Sequence, residues 1–406
     1  MIKLRTNDLA LLDGKPVFLE KLHVGRPNIG NREKFSERVN DILDRRWLSN
    51  SGRYMQEFEK AIASYVGVKH CIVVTNATIA LEIAIRALGL QGEVIIPSFT
   101  FVATAHALQW LGVTPVFCDI DPQTYNIDPA RIEALITPRT SAILGVHVYG
   151  RPCDCDALEQ IARRHGLKLF YDAAHAFGCS YQGQMVGNFG DLEVFSFHAT
   201  KFLNSLEGGA IATNNEELAN RARKMTNFGF TGYDQVDGVG TNGKMNEVSA
   251  AMGLTNLETI QELIAVNQRN YRQYQQELEG VPGVRVVAFD EAERNNYQYL
   301  VLEVDEETAG LSRDQLTQLL HAENVLARRY FYPGCHRMEP YATLFPEAAA
   351  RLPETERVTA RMLCLPTGTG IQSAEIIQVC ELIRYMLVHG MEISQKMSRI
   401  SKGPAQ

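Results

Sequence analysis

No apolar run in the 406-residue chain approaches the ~18 residues that a membrane-spanning helix requires, so a helical membrane anchor is not expected. Positive charge is also scarce. Forty Lys and Arg stand against 47 Asp and Glu, and the net charge of -7 comes with no clustered basic stripe. Nucleic acid and anionic lipid are therefore poor partners. The eight cysteines are scattered, and the one close pair, Cys153 and Cys155, lacks the second pair or nearby histidines of a metal site, so no metal is expected. Met1 to Lys21 carries Asp8, Asp13 and Glu20 and has no uninterrupted apolar core before a small-residue cleavage site. That predicts a cytoplasmic chain with reduced thiols. Repeats and low-complexity runs are absent. What remains is an ordinary globular composition, 45% hydrophobic and 21% charged, long enough for a large domain and a smaller one.

The informative stretch is Asp191 to Lys201, whose alternating apolar residues Leu192, Val194, Phe195 and Phe197 predict a buried strand that delivers Lys201 to the rim of a core. Partial loss of water there lowers a lysine pKa toward the range in which the free amine attacks carbonyls. Upstream, the apolar run Leu167 to Asp172 ends on a carboxylate, at the edge where open α/β sheets hold ligands. One chemistry uses both residues. Pyridoxal phosphate is held as a Schiff base by a lysine, while an acidic residue keeps its ring nitrogen protonated.

Elsewhere strands and helices alternate. Strands are predicted at Cys71 to Thr75, Glu93 to Pro97, Pro115 to Ile120, Ala142 to Val148 and Ala210 to Thr213, with helices between most of them. This pattern predicts a mostly parallel sheet wrapped by helices. The small-residue turn Asn76-Ala77-Thr78 opens a helix, where unpaired amides and the helix dipole favour a phosphate. Glu247 to Leu278 reads as one long amphipathic helix joining a large domain, residues 1–260, to a smaller α+β domain, residues 261–406. A strand is predicted near Val325 to Tyr332, and the polar tail Met391 to Gln406 reads as loose.

Asp172-Ala-Ala-His175-Ala176, Phe195-Ser196-Phe-His-Ala-Thr-Lys201 and Glu207-Gly208-Gly209 closely resemble the signature of the DegT/DnrJ/EryC1/StrS sugar aminotransferases, and the resemblance runs from about Arg26 to His389. It implies the fold of the pyridoxal-phosphate-dependent transferases, the aspartate aminotransferase fold type I, with a mostly parallel central sheet and a smaller α+β carboxy-terminal domain. It also implies roles. Lys201 would hold the cofactor and shuttle the proton, and Asp172 would meet the ring nitrogen. His175 would meet the phenolic oxygen, and Phe101 would stack on the ring. The backbone of Ala77 and Thr78, with the Thr78 and Ser196 hydroxyls, would bind the phosphate. Asn242 and Lys244 would reach across a homodimer interface to the neighbouring phosphate. For the sugar the candidates are His147, Tyr149, Tyr332 and His336.

Structural alternatives stand beside these roles. Lys201 could snorkel from a strand end, Asp172 could cap a helix, and Phe101 and His175 could be core residues. Gly238 to Lys244 nearly spells a P-loop, but Met245 stands where the Mg²⁺-binding hydroxyl would be, which weighs against a nucleotide hydrolase. The resemblance implies transfer of an amino group from L-glutamate to a nucleotide-linked keto-sugar, with dTDP-4-dehydro-6-deoxy-D-glucose the best match. Another keto-sugar nucleotide, or a regulatory relative that binds the cofactor without turnover, are the alternatives.

Overall fold

The computed structural model describes residues 5–401. Its centre is a seven-stranded sheet of β1 (His70–Val74), β2 (Glu93–Pro97), β3 (Thr114–Cys118), β4 (Thr140–Val146), β5 (Lys168–Asp172), β6 (Leu192–Ser196) and β7 (Gly209–Thr213). The order across the sheet is β1-β7-β6-β5-β4-β2-β3, and only β7 runs against its neighbours. Six strands therefore end on one edge. The strands are buried almost throughout, and their Val, Ile and Phe side chains pack under helices on both faces, as a parallel sheet requires.

Helices α1 (Arg32–Arg45) and α2 (Arg53–Val66) precede the sheet; α3 (Ala77–Ala87) follows β1 and α4 (Val102–Trp110) follows β2. The long helix expected from Glu247 to Leu278 is two, α5 (Glu247–Glu258) and α6 (Ile260–Leu278), broken where Thr259 leaves helical geometry. The halves answer to different cores. Residues Ser249 to Leu257 of α5 are all buried against the large core, and Gly253 lies so close to Phe58 that a Cβ would sit 2.3 Å from its ring. In α6 one stripe is buried, and Tyr271, Tyr274 and Leu278 join a second core.

That second core surrounds an antiparallel sheet of β8 (Val284–Val286), β9 (Leu300–Val304) and β10 (Met362–Leu365). Helices α7 (Arg313–Ala322), α8 (Pro353–Arg361) and α9 (Ser373–Val388) belong to the same half of the chain. Three expectations change here. Leu9, Leu12, Phe18 and Leu22, placed by sequence with the large domain, are buried in this carboxy-terminal core, and the Ala10 and Val17 amides donate to the Glu323 carboxylate at 2.8 Å each. The segment has no long periodic element to signal where it packs. The tail expected to be loose forms α10 (Gly390–Ser401), with Ile393 and Met397 buried; residues 402–406 lie outside the described chain. The strand expected near Val325 to Tyr332 is only Val325–Leu326, paired with Leu22–His23.

Buried carboxylates tie the halves of the large core together. The Glu247 carboxylate accepts the Tyr54 amide at 3.0 Å and the Met55 amide at 2.8 Å, capping α2 from α5. Glu247→Ala removes the acceptor of two shielded amides and should lower stability by about 3 kcal/mol. Urea unfolding measures this, and a loss below about 1 kcal/mol would show that water replaces the carboxylate.

Candidate active site

Asp172 ends β5, buried, with its carboxylate accepting the Thr104 hydroxyl at 2.8 Å and the Ala174 amide at 3.1 Å. Burial pushes its pKa up, while Thr104, Ala174 and the Lys201 ammonium hold it down. Lys201 lies in the turn after β6, its amide donating to the His198 carbonyl at 2.8 Å. Burial pulls its pKa down to about 8, against the opposing attraction of Asp172. Its ammonium makes no hydrogen bond or ion pair among the described residues, so an amine with an unusually accessible neutral form stands at the sheet edge.

His175 is buried three residues beyond Asp172. Its Nδ1 accepts the Tyr149 amide at 3.3 Å, which leaves the ring proton on Nε2. Burial and the Lys201 charge keep the ring well below the ordinary histidine range, hence neutral. It stacks on Phe331, with ring centres 5.5 Å apart and planes 5° from parallel.

The turn after β1 supplies a second set of donors. Asn76 caps α3 through the Ile79 amide at 2.9 Å, leaving the amides of Ala77 and Thr78 without a partner among the described residues. Gly209 makes this turn possible. A Cβ there would lie 2.7 Å from the Ala77 nitrogen and 2.7 Å from the Asn76 carbonyl carbon, so the start of β7 can pass the helix only as glycine. Ser196 ends β6 at the same edge, and its Oγ accepts the His198 amide at 3.4 Å.

Residues 30–384 match the DegT/DnrJ/EryC1/StrS aminotransferase family. The chain belongs to that family. A dTDP-4-amino-4,6-dideoxy-D-glucose transaminase of Escherichia coli is 37% identical over 363 residues, covering 89% of this chain and 97% of that one. A GDP-perosamine synthase of Caulobacter vibrioides is 38% identical, covering 91% and 99%. The crystal structure of DesI in the presence of its TDP-sugar product superposes with a TM-score of 0.92 at 47% identity, covering 97% of this chain and all of that one.

In this DegT/DnrJ/EryC1/StrS aminotransferase the residues fit pyridoxal phosphate. A reactive amine, a buried carboxylate, a neutral histidine with an Nε2 proton and unpartnered helix amides share one sheet edge, and Phe101, the residue that caps α4, leaves its ring 57% exposed. Thr104, which orients Asp172, was not foreseen. Its signal was a hydroxyl four residues after Thr100 in an apolar helix, and the two hydroxyls lie 2.9 Å apart.

The sugar-side candidates divide. Tyr332 lines a cleft of about 500 Å³ together with Phe101, Arg328, Arg329 and Tyr330. The Arg329 guanidinium lies 4.5 Å and the Arg313 guanidinium 4.9 Å from the centre of the Tyr332 ring. Neither Arg328 nor Arg329 was foreseen, because an exposed arginine pair carries no pattern of its own. The other three are not placed for a substrate. His147 is fully buried and stacks on Tyr171 at 4.7 Å. Its Nδ1 accepts the Cys153 amide at 3.0 Å, so its Nε2 proton points to the Glu193 carboxylate at 3.1 Å; although that carboxylate favours protonation, the Cys153 amide keeps the ring neutral. The Tyr149 hydroxyl is consumed by the Tyr330 carbonyl, and its ring packs among Phe99, Tyr125 and Phe331. His336 is buried between the Ser98 hydroxyl at 2.7 Å and the Glu356 carboxylate at 2.5 Å.

Lys244 is held within its own chain by the Asn227 side chain at 2.9 Å and by the Phe228 ring at 4.6 Å. Asn242 and Lys244 form bridges with Asn227 and Val74, and Met245 is buried in the large core. This is not the strand-loop-helix setting of a P-loop.

Two outcomes test the site. The rate at which cofactor-free protein forms an imine with pyridoxal phosphate should rise through pH of about 8 and then level. Asp172→Asn removes the anion that favours the ammonium and should move that midpoint lower; an unmoved midpoint would mean Asp172 does not face the amine. Gly209→Ala should displace the α3 amides and weaken cofactor binding about tenfold or more, measured by equilibrium dialysis. Unchanged binding would remove those amides from the phosphate site.

Proposed function

We propose that this aminotransferase moves the amino group of L-glutamate to a nucleotide-linked keto-sugar, with dTDP-4-dehydro-6-deoxy-D-glucose as acceptor and dTDP-4-amino-4,6-dideoxy-D-glucose as product. The observation that carries the reading is an amine held near pKa 8 facing a buried carboxylate at one sheet edge. Pyridoxal phosphate bound there supplies an electron sink for the pair left when a C–H proton departs. Lys201 Nζ takes that proton and returns it, which an amine titrating close to neutrality does efficiently. Asp172 would present its oriented carboxylate to the ring nitrogen, His175 would hydrogen-bond the phenolic oxygen through its Nε2–H, and Phe101 would cover the ring face. The Ala77 and Thr78 amides, with the Thr78 and Ser196 hydroxyls, would hold the phosphate.

The acceptor is read from the cleft and from the relatives. Arg328 presents a guanidinium group suited to a diphosphate beside the aromatic rings of Phe101 and Tyr332, and next to it Arg329 is held on the Asp314 carboxylate at 2.8 Å. The Escherichia coli relative is named for dTDP-4-amino-4,6-dideoxy-D-glucose, and DesI was crystallised with a TDP-sugar product. The similar identity to a GDP-perosamine synthase makes a GDP-linked keto-sugar the second reading. The functional unit is a homodimer. The segment from Asn227 to Asn242 carries Phe228, Phe230, Tyr233, Val236 and Val239 exposed, an apolar patch suited to a second copy, with Asn242 and Lys244 serving the neighbour's phosphate. It works in the cytoplasm. Among the described residues no helix is long and apolar enough to cross a membrane.

Cofactor-loaded protein given L-glutamate should release 2-oxoglutarate, and addition of dTDP-4-dehydro-6-deoxy-D-glucose should yield the amine. Lys201→Arg should lower turnover by about a thousandfold or more. Absence of 2-oxoglutarate would overturn the donor, and amine formation on a GDP-linked but not a dTDP-linked acceptor would select the second reading.

A further inference from the structure

Before Lys201 the Thr200 amide donates to His198 Nδ1 at 3.2 Å, whereas the backbone after the lysine is held by asparagine side chains, which carry no charge. Asn28 is 3% exposed, with both ends of its amide engaged. Its Nδ2 donates to the Phe202 carbonyl at 2.9 Å, and its Oδ1 accepts the Thr369 amide at 3.1 Å and the Thr369 hydroxyl at 2.8 Å. Its own carbonyl accepts Asn204 Nδ2 at 2.8 Å. The Asn204 carbonyl accepts Asn256 Nδ2 at 2.8 Å, and Asn256 Oδ1 accepts the Gly30 amide at 2.8 Å. Residues 28–30 are thus laced along residues 202–204, directly after the lysine. Gly25 extends the contact to the residue before it, where a Cβ would sit 3.0 Å from Thr200 Cβ.

On its far side Asn28 meets the loop that connects β10 to α9 in the carboxy-terminal core. Asn270 of α6 holds the Gly368 carbonyl of that loop at 3.0 Å. One turn earlier Asn267 donates to the Asn296 carbonyl at 2.9 Å, and Asn296 donates to the carbonyls of His175 at 2.8 Å and Phe177 at 3.0 Å. A single helix therefore braces both the lysine turn and the histidine turn through amides.

We propose that Asn28 is a positioning residue for Lys201, tying the peptide that follows the lysine to the 367–370 loop so that the amine's placement follows that of the carboxy-terminal core. The residue type has a chemical reason. An amide donates and accepts at once without charge, which leaves the electrostatics of the amine to Asp172 and His175, the titratable groups that face it from the end of β5 and the turn beyond. A carboxylate at position 28 would still accept from Thr369 but would repel the Phe202 carbonyl and add an anion near the lysine. An aliphatic side chain would leave that carbonyl and the Thr369 donors unpaired.

The test rests on Lys201 being the reacting amine, and its principal readout needs no turnover. Cofactor-free full-length protein is pulse-labelled with acetic anhydride across a range of pH, and modification of Lys201 is read by peptide mass spectrometry to give its titration midpoint. In Asn28→Ala the midpoint should rise from about 8 toward the ordinary lysine value, because a loosened turn readmits water. In the loaded enzyme kcat should fall about tenfold with KM within about twofold. Asn295→Ala, which removes amide bonds to the Asp290 and Glu293 carbonyls elsewhere, should leave the midpoint in place. A cooperatively folded Asn28→Ala protein with the parent's midpoint and kcat would overturn the proposal. If that variant does not fold, Thr369→Ala, which keeps the Thr369 amide but removes its hydroxyl, should move the midpoint the same way by a smaller amount; an unmoved midpoint overturns the proposal equally. A parent protein whose Lys201 titrates as described but transfers no amino group would instead overturn the functional reading and leave this one standing.

Discussion

A lysine ammonium partly shielded from water, with one carboxylate left to face, is the constraint around which this site is built. Desolvation pulls the amine down and the carboxylate pulls it back, and the first effect wins, leaving it near 8. Both groups must therefore arrive at the same sheet edge by separate routes, Asp172 on the end of β5 and Lys201 in the turn after β6, one strand over. The parallel order of the sheet brings them together, because adjacent parallel strands release their chains on one side. The phosphate turn after β1 reaches that edge too, since β1 and β6 both run antiparallel to β7 and so run parallel to each other.

The surroundings keep that balance by spending few charges. His175 and His147 are neutral because each accepts a backbone amide on Nδ1, and the amine is braced by asparagines. Buried carboxylates serve elsewhere as caps. Glu247 receives the first amides of α2, and Asp119 receives the Glu354 amide at 3.0 Å and the Thr355 amide at 2.8 Å, fastening α8 to the end of β3. Placed on helix amides, a buried anion is paired with a partial positive charge and does not compete for the lysine.

The residues legible in the sequence were those whose role follows from chain position. Asp172 and Lys201 end apolar runs, Ala77 and Thr78 follow a strand and open a helix, and the Gly208-Gly209 pair marks a close approach that the Ala77 contact explains. The histidines were not legible in this way. His147 follows β4 in an apolar stretch and His336 lies in the short turn Cys335–Arg337, yet each meets a carboxylate, Glu193 or Glu356, that lies 46 or 20 residues further along the chain. Tyr149 likewise turns its hydroxyl to Tyr330 across the interior. The cleft's two arginines, Arg328 and Arg329, carried no signal in the sequence because exposed guanidinium groups gain meaning only from the rings and cavity beside them.

By itself the sequence determined the alternation of strand and helix, the strand-end carboxylate and lysine, and the helix-opening turn, because each depends on local periodicity or on one residue's place at an element's end. Only the tertiary structure decided that residues 9–22 join the carboxy-terminal core, that the long helix breaks at Thr259, and that Asn28 spans the lysine turn and the 367–370 loop. Those outcomes depend on which surfaces remain to be buried once the sheet has formed. Burial of that kind is settled between residues hundreds of positions apart, where no local pattern reaches.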